Sequence, residues 1–283
     1  MNNISSYSLI LGGAKALNKI SQTPHLDSEL LLAKVLNVDR VQFYYKDIFP
    51  ERKQIQAYES LLKQRMEGIP IAYLTEYKEF WSLPLKVNQD TLIPRPETEH
   101  LVQKSLVKLD NLHKNYQVLE LGTGCGAAAI AIAEERPQAN ISATDISAKA
   151  LKIGKYNARN LKINNIQFIC SDWLRGISDH KFDLIISNPP YVDAKKIKDY
   201  EPESLSHEPR VALFADDHGI SCIKEIIQES IKCLKRHSWL IIEHAHDQSA
   251  ICKQLMQSSR FKEIYTTLDY SGLGRITAGQ RSD

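Results

Sequence analysis

Cysteine is scarce and forms no pattern. The five cysteines stand at 125, 170, 222, 233 and 252, an odd number without a C-x-x-C pair, which excludes a disulfide framework and a clustered zinc site and points to reduced thiols in a cytoplasmic protein. No run of about eighteen apolar residues is present, so no membrane-spanning helix or membrane partner is expected. Met1-Asn2-Asn3-Ile4-Ser5-Ser6 lacks the basic region and apolar core of a secretory signal. Charge of one sign is missing as well. Thirty-six Lys and Arg against 34 Asp and Glu leave a formal +2, too little to imply a polyanion by itself. Among nine histidines only His244 and His246 approach ligand spacing, and their alternation at a strand end reads as surface; no metal is expected. Lys195, Lys196 and Lys198 form a local cluster that suits either a solvated loop or the steering of a phosphate backbone.

A chain of 283 residues has room for two domains. Residues 7 to about 67 read as successive amphipathic helices. Asp27 to Leu36 has an acidic first turn and Asn37 as a stop. Ile55, Tyr58, Leu61, Leu62 and Met66 recur at helical steps before Gly68 and Pro70 end the pattern. Phe80 to Val87 alternates loosely and is broken by Pro84, the mark of a short hairpin or strap. The expected organisation is a helical bundle over 1–78, a hairpin or linker over 79–96, and a doubly wound α/β domain over 97–283. The last has strands at 117–121, 141–145, 166–170, 182–187 and 239–243 and an edge hairpin of 263–268 with 275–278, seven strands in all.

Three strand ends carry chemistry. Gln117 to Leu121 runs into Gly122-Thr123-Gly124-Cys125-Gly126 and then a helix from Ala127. Glycines there let a ligand approach the backbone, and the N–H groups opening the helix favour an anionic group. The same turn reads G-x-G-x-x-A, so a dinucleotide fingerprint competes. Asp145 ends the next strand at the separation suited to a ribose diol, which NAD and S-adenosylmethionine share; it also suits a helix N-cap, as does Ser147. Asp172 and Trp173 close the third strand, placed to meet an adenine amino group and ring, or, for Trp173, to fill the core.

Asn188-Pro189-Pro190-Tyr191 ends the strand Phe182–Ser187. Two prolines stiffen the loop and withhold two N–H donors. The Asn188 side-chain oxygen and the Pro189 carbonyl can each accept one N–H of a planar –NH2 group while the Tyr191 ring packs on its face. Pro-Pro after a strand is otherwise a stiff turn.

In this order, Glu120-Leu-Gly-Thr-Gly-Cys-Gly126, Asp145, Asp172-Trp173 and Asn188-Pro-Pro-Tyr191 resemble a class I S-adenosylmethionine-dependent methyltransferase acting on a planar amino group. Pro70 to Thr75, Glu79 to Leu85 and Leu92-Ile-Pro-Arg-Pro-Glu-Thr-Glu99 are similar to the HemK/PrmC family of peptide chain release factor glutamine methyltransferases, and the last of these segments is the specific part. Glu76 and Ala245 depart from the family pattern, standing where Gly is usual, which bears on local turns. The resemblance implies S-adenosyl-L-methionine as cofactor, held by Gly122–Gly126, Asp145, Asp172, Trp173 and Asn188. It implies catalysis by Asn188, Pro189 and Tyr191, substrate binding by Asn188, Pro189, Pro190 and Tyr191, a release factor as protein partner docked partly by the helical domain, and no direct nucleic-acid binding. Arg95, Glu97 and Glu99 are expected at the cofactor entrance or in an inter-domain salt bridge. Alternatives are a ribosomal protein glutamine methyltransferase, a methyltransferase for exocyclic amines of nucleic acids, a NAD-dependent oxidoreductase, which leaves Asn188–Tyr191 unexplained, and a non-catalytic cofactor sensor.

Overall fold

The computed structural model describes residues 4–177, 181–193, 195 and 205–282. Among these, the chain up to Tyr77, with 205–207, forms one compact unit, and the remainder forms another. The lysine cluster falls largely outside the described residues: of its three members only Lys195 is inside, its N–H donating to Asp193 at 2.9 Å.

The first unit is helical: α1 (Ser6–Leu17), α2 (Pro24–Leu36), a short 3-10 turn, α3 (Arg52–Met66) and α4 (Ile71–Thr75). Helical spacing brings Ile10, Leu31, Leu32, Tyr58 and Leu74 into one buried cluster. The Tyr58 hydroxyl does not lie idle in that core: it pairs with Ser28 Oγ at 2.7 Å and donates to the Leu9 carbonyl at 3.1 Å. Asn37 ends α2 in the left-handed region, φ 52°, as a helix-stopping Asn should. Glu76 ends α4 the same way, φ 59°, which explains why a glycine suits that position. Ala245 has φ −64°, a conformation any residue adopts.

In the second unit, β1 (Tyr77–Phe80) and β2 (Leu83–Lys86) form a hairpin, with Trp81 and Ser82 both at positive φ in its two-residue turn. Helix α5 (Thr98–Lys108) leads to the main sheet. There, β3 (Gln117–Leu121), β4 (Asn140–Asp145) and β5 (Ile166–Cys170) alternate with α6 (Ala127–Glu135) and α7 (Ala148–Asn160). After β6 (Phe182–Ser187) come the two-residue bridge of β7 (Val192–Asp193) with β8 (Phe214–Ala215), helix α8 (Arg210–Leu213) before β8, and α9 (Ser221–Cys233). The chain closes with β9 (Leu234–Glu243), α10 (Ser249–Ser258), β10 (Phe261–Leu268) and β11 (Gly274–Arg281).

The seven strands run in the order β10-β11-β9-β6-β3-β4-β5, with β3 parallel to both β4 and β6, and β11 antiparallel to β9. The α/β expectation of a doubly wound seven-stranded sheet therefore holds. Strand order reverses between β3 and β6, and ligands of such sheets sit at the carboxyl ends beside that switch. Ser187 Oγ donates to the Leu121 carbonyl at 2.8 Å, pinning the two strand ends side by side.

His244 corrects an expectation. It is fully buried, its ring nitrogens 2.8 Å from the Ala245 carbonyl and 2.7 Å from the Thr277 hydroxyl. Strand β9 lies between β6 and β11 in a sheet covered on both faces, so alternation there does not lead to solvent. Only His246 is exposed.

Candidate active site

Beyond β3 the chain turns through Gly122, Gly124 and Gly126, all at positive φ, a path closed to most side chains. The two later glycines differ in purpose. A Cβ on Gly124 would meet nothing within 4 Å, whereas one on Gly126 would press on Ile130, Gly154 and Phe168. Gly124 thus faces open space and Gly126 lets α7 pack against the turn. Glu120, fully buried, fastens this turn from beneath: its carboxylate accepts from the Thr123 hydroxyl and from the Ala129 N–H. From the other side, the buried Asn157 amide donates to the Cys125 carbonyl at 3.0 Å and pairs with both backbone groups of Lys86. Cys125 is buried, and burial pushes its thiol up to about 12, so it is an inert core group.

Burial also pushes Glu120 up to about 7, with the bonds from Thr123 and Ala129 opposing. A carboxyl raised this way favours the folded state while protonated, and that contribution is lost as pH climbs from about 4.5 through about 7. Urea unfolding should show Glu120→Gln gaining on the wild type over that window, by on the order of 1–3 kcal/mol; an unchanged difference at pH 5 and pH 8 would contradict the assignment.

Asp145, at the end of β4, accepts from the Gly124 N–H and the Ser147 N–H, each at 2.8 Å. Ser147, not Asp145, caps α7 by accepting from the Ala150 N–H at 3.1 Å. After β5, Asp172 pairs with Arg175 at 2.6 Å. Trp173, at φ 47°, packs on the core while one edge lies 3.5 Å from where a Gly122 Cβ would be.

These strand ends enclose a cavity of about 240 Å³. Of the sequence-based candidates, Gly122, Gly124, Asp145, Asp172, Trp173, Asn188 and Pro190 line it. Thr123, Cys125, Gly126, Pro189 and Tyr191 do not line it. The sequence reading missed the further lining residues: Asp90–Leu92 before α5, Ile146, Ser147 and Ala150 after β4, Ser171 after β5, and Pro209, Val211, Ala212 and Phe214 with Cys222.

Behind the Asn188 loop lies a polar layer. Asn188 Nδ2 donates to the Thr98 hydroxyl at 3.1 Å, and the half-buried Tyr191 points its hydroxyl at Glu243, 3.4 Å away. Burial raises the Tyr191 hydroxyl pKa, and it raises Glu243 to about 7. Gln248 braces the loop by donating to the Tyr191 carbonyl at 3.1 Å. Arg95 and Glu208 form an ion pair, and Glu208 also accepts from the Ile93 N–H at 3.0 Å; both residues belong to the second unit, so this is not an inter-domain bridge. Glu99 accepts from the Trp81 N–H at 2.9 Å, anchoring the hairpin turn.

Among the described residues no helix is long and apolar enough to cross a membrane. The methyltransferase small domain family matches residues 99–218, and the PrmC N-terminal domain matches 8–75. The catalytic domain of hMettl16, solved with a MAT2A 3'UTR hairpin, superposes with a TM-score of 0.59 at 14% identity, over 84% of this chain and 85% of that one, a likeness of fold alone. The release factor glutamine methyltransferase of Escherichia coli is 37% identical over 92% of this chain and 93% of its own. That of Coxiella burnetii is 42% identical over 95% and 96%. With such identity running through both units and both domain matches in one chain, the protein belongs to the release factor glutamine methyltransferase family.

Proposed function

We infer that this protein transfers a methyl group from S-adenosyl-L-methionine to the side-chain amide nitrogen of the glutamine in the Gly-Gly-Gln motif of peptide chain release factors. The observation that carries the reading is Asn188 on the cavity wall with its Nδ2 committed to Thr98, which leaves Oδ1 to accept an N–H from an amide entering the cavity.

The residues present fit the cofactor. The open space over Gly124 admits a ligand against the backbone, Asp145 keeps lone pairs for a ribose diol beyond its two backbone bonds, and Trp173 lines the cavity. When bound, the cofactor supplies an electrophilic methyl on a sulfonium. An amide nitrogen is a weak nucleophile because its lone pair is delocalised. Asn188 Oδ1, accepting one of its two N–H bonds, turns the lone pair outward, and orientation of this kind contributes on the order of 7–11 kcal/mol to a barrier reduction; the Pro189 carbonyl, expected as the second acceptor, does not line the cavity. Pro190 walls the cavity, and Tyr191 holds the loop from behind through Glu243 and Gln248. The proton released from the methylated nitrogen passes to water. The deciding experiment offers methyl-tritiated S-adenosylmethionine with purified release factor, ribosomal protein and DNA in parallel. Label in release factor supports the reading, and label confined to either of the others overturns it.

The helical unit, residues 1 to about 77, serves to hold the release factor, because a single glutamine loop offers little contact area for a protein substrate. A chain beginning at Lys78 retains the hairpin that Asn157 anchors. It should keep its S-adenosylhomocysteine affinity while kcat/KM on intact release factor drops at least about tenfold; an unchanged kcat/KM would remove the helices from recognition.

A further inference from the structure

Methyl transfer draws on neither Ile93 nor Arg95, although both stand in the segment most specific to the family. Both meet a single residue. Glu208, whose side chain is fully buried, accepts from Arg95 Nη2 through one carboxylate oxygen and from the Ile93 N–H, at 3.0 Å, through the other. With one oxygen committed to each donor, the carboxylate is held in one orientation between positions 113 and 115 residues apart in sequence. A buried ion pair is weak support for stability, because well-packed apolar side chains of similar volume often serve as well or better. Where the pair stands therefore says more than that it exists.

It stands between two stretches of the cavity wall. Asp90, Thr91 and Leu92 line the cavity directly before Ile93, and Pro209, Val211, Ala212 and Phe214 line it directly after Glu208. The first stretch holds its own shape. The Thr91 N–H donates to the Asn88 carbonyl and the Asp90 N–H to Asn88 Oδ1, each at 3.0 Å, closing a turn. The second stretch is built differently. Helix α8 has only the four residues Arg210–Leu213, about one turn, and a helix that short does not hold its place by its own hydrogen bonds. Its ends are fixed from outside: Glu208 anchors the chain entering it, and Phe214 and Ala215, leaving it, pair with Val192 and Asp193. Without the Glu208 anchor the wall is left hinged on the β7–β8 bridge.

We propose that Arg95 and Glu208 are a positioning pair that holds the Pro209–Phe214 wall against the cofactor and sets how fast the cofactor leaves, an inference that rests on the S-adenosylmethionine reading of the cavity. Neither residue lines the cavity itself. A ligand can enter past a loose wall as readily as past an ordered one, whereas its escape requires the wall to yield, so the pair acts on dissociation. Asn188 is held separately, by Thr98, and methyl transfer from cofactor already bound does not depend on the pair.

The test uses the full chain. Arg95→Met by itself strands a buried charge, so the decisive variant is Arg95→Met combined with Glu208→Gln, which removes both charges and keeps an acceptor for the Ile93 N–H. Its S-adenosylhomocysteine dissociation rate, read by chase of labelled ligand, should rise at least about tenfold with the association rate within about threefold. Single-turnover methyl transfer to release factor at saturating cofactor should stay within about threefold of wild type. Arg95→Lys should keep the dissociation rate within about threefold of wild type, because the ion pair uses one guanidinium nitrogen. Without ligand, trypsin should cut after Arg210 at least about tenfold faster in the double variant, each rate being taken relative to the same chain unfolded in urea. A dissociation rate within twofold of wild type in the double variant, or unchanged cleavage after Arg210, overturns the proposal. So does a single-turnover rate that falls as far as dissociation speeds up, since the pair would then support the fold at large. A wild type that binds no S-adenosylhomocysteine strikes the cofactor reading instead, and cleavage after Arg210 still decides whether the pair anchors the wall.

Discussion

Asn188→Ala is expected to lower kcat for release-factor methylation about 10²- to 10³-fold, by analogy with the loss of one preorganised contact to a reacting group. The alanine removes the Oδ1 acceptor and leaves the Thr98 hydroxyl without the donor it now receives at 3.1 Å. Cofactor affinity should change little, since Gly124, Asp145 and Trp173 are untouched. Melting temperature should hold within a few degrees, because the side chain is only half buried at a cavity wall rather than in the core. Asn188→Asp retains an acceptor at the same place and should stay more active than alanine. It cannot donate to Thr98, however, and sets a carboxylate close to the layer that already holds Glu243, so its kcat should still fall short of wild type. Single-turnover measurements with saturating cofactor separate chemistry from binding. A wild-type rate in Asn188→Ala would end the orienting role even with the family membership intact.

Strand positions were legible wherever an apolar run met a residue that cannot continue it. Gln117–Leu121 stops at Gly122 and Phe182–Ser187 at Asn188-Pro189, and both spans coincide with the observed strands. The strand expected over 239–243 begins instead at Leu234. Its first residues, Lys235-Arg236-His237, are polar, and His237 sits at φ 60° beside a register shift against β6, so a bulge conceals the strand's entry from any period-2 pattern. The β7–β8 bridge was also unseen, since two-residue pairings leave no periodicity.

The cavity wall followed the same logic. Residues at strand ends, such as Asp145, Asp172 and Asn188, were foreseeable because the architecture sends carboxyl ends to a common edge. What stayed hidden was which groups lie behind the wall. Thr98 meets Asn188 across 90 residues of sequence and Tyr191 meets Glu243 across 52, and no local pattern records such pairings. One signal was available: a carboxylate closing the otherwise apolar run Trp239-Leu240-Ile241-Ile242-Glu243 resembles the placement of Glu120, one residue before the end of β3. Tyr191 shows the converse. Its motif suggested a ring on the substrate, whereas the side chain packs against the core and directs its hydroxyl to Glu243.

Asp145→Ala should weaken S-adenosylmethionine and S-adenosylhomocysteine binding by roughly 1.5–3 kcal/mol, the range for a hydrogen bond to a charged group, or about ten- to a hundredfold in Kd. Two effects combine. The ribose acceptor disappears, and so do the bonds from the Gly124 and Ser147 N–H groups that shape the turn. Burial raises the pKa of this carboxyl and those two bonds oppose the rise, so the fold works to keep an acceptor here. Asp145→Asn tells the effects apart. Its one carbonyl can satisfy either backbone donor but not both, while its NH2 opposes the Gly124 N–H or the ligand hydroxyls, so affinity should fall nearly as far as in alanine with a smaller loss of stability. Titration calorimetry with S-adenosylhomocysteine and with NAD measures both affinities directly. Wild-type affinity for S-adenosylhomocysteine in Asp145→Ala would remove Asp145 from the cofactor site, and tight NAD binding by the wild type with no response to S-adenosylhomocysteine would overturn the cofactor assignment itself.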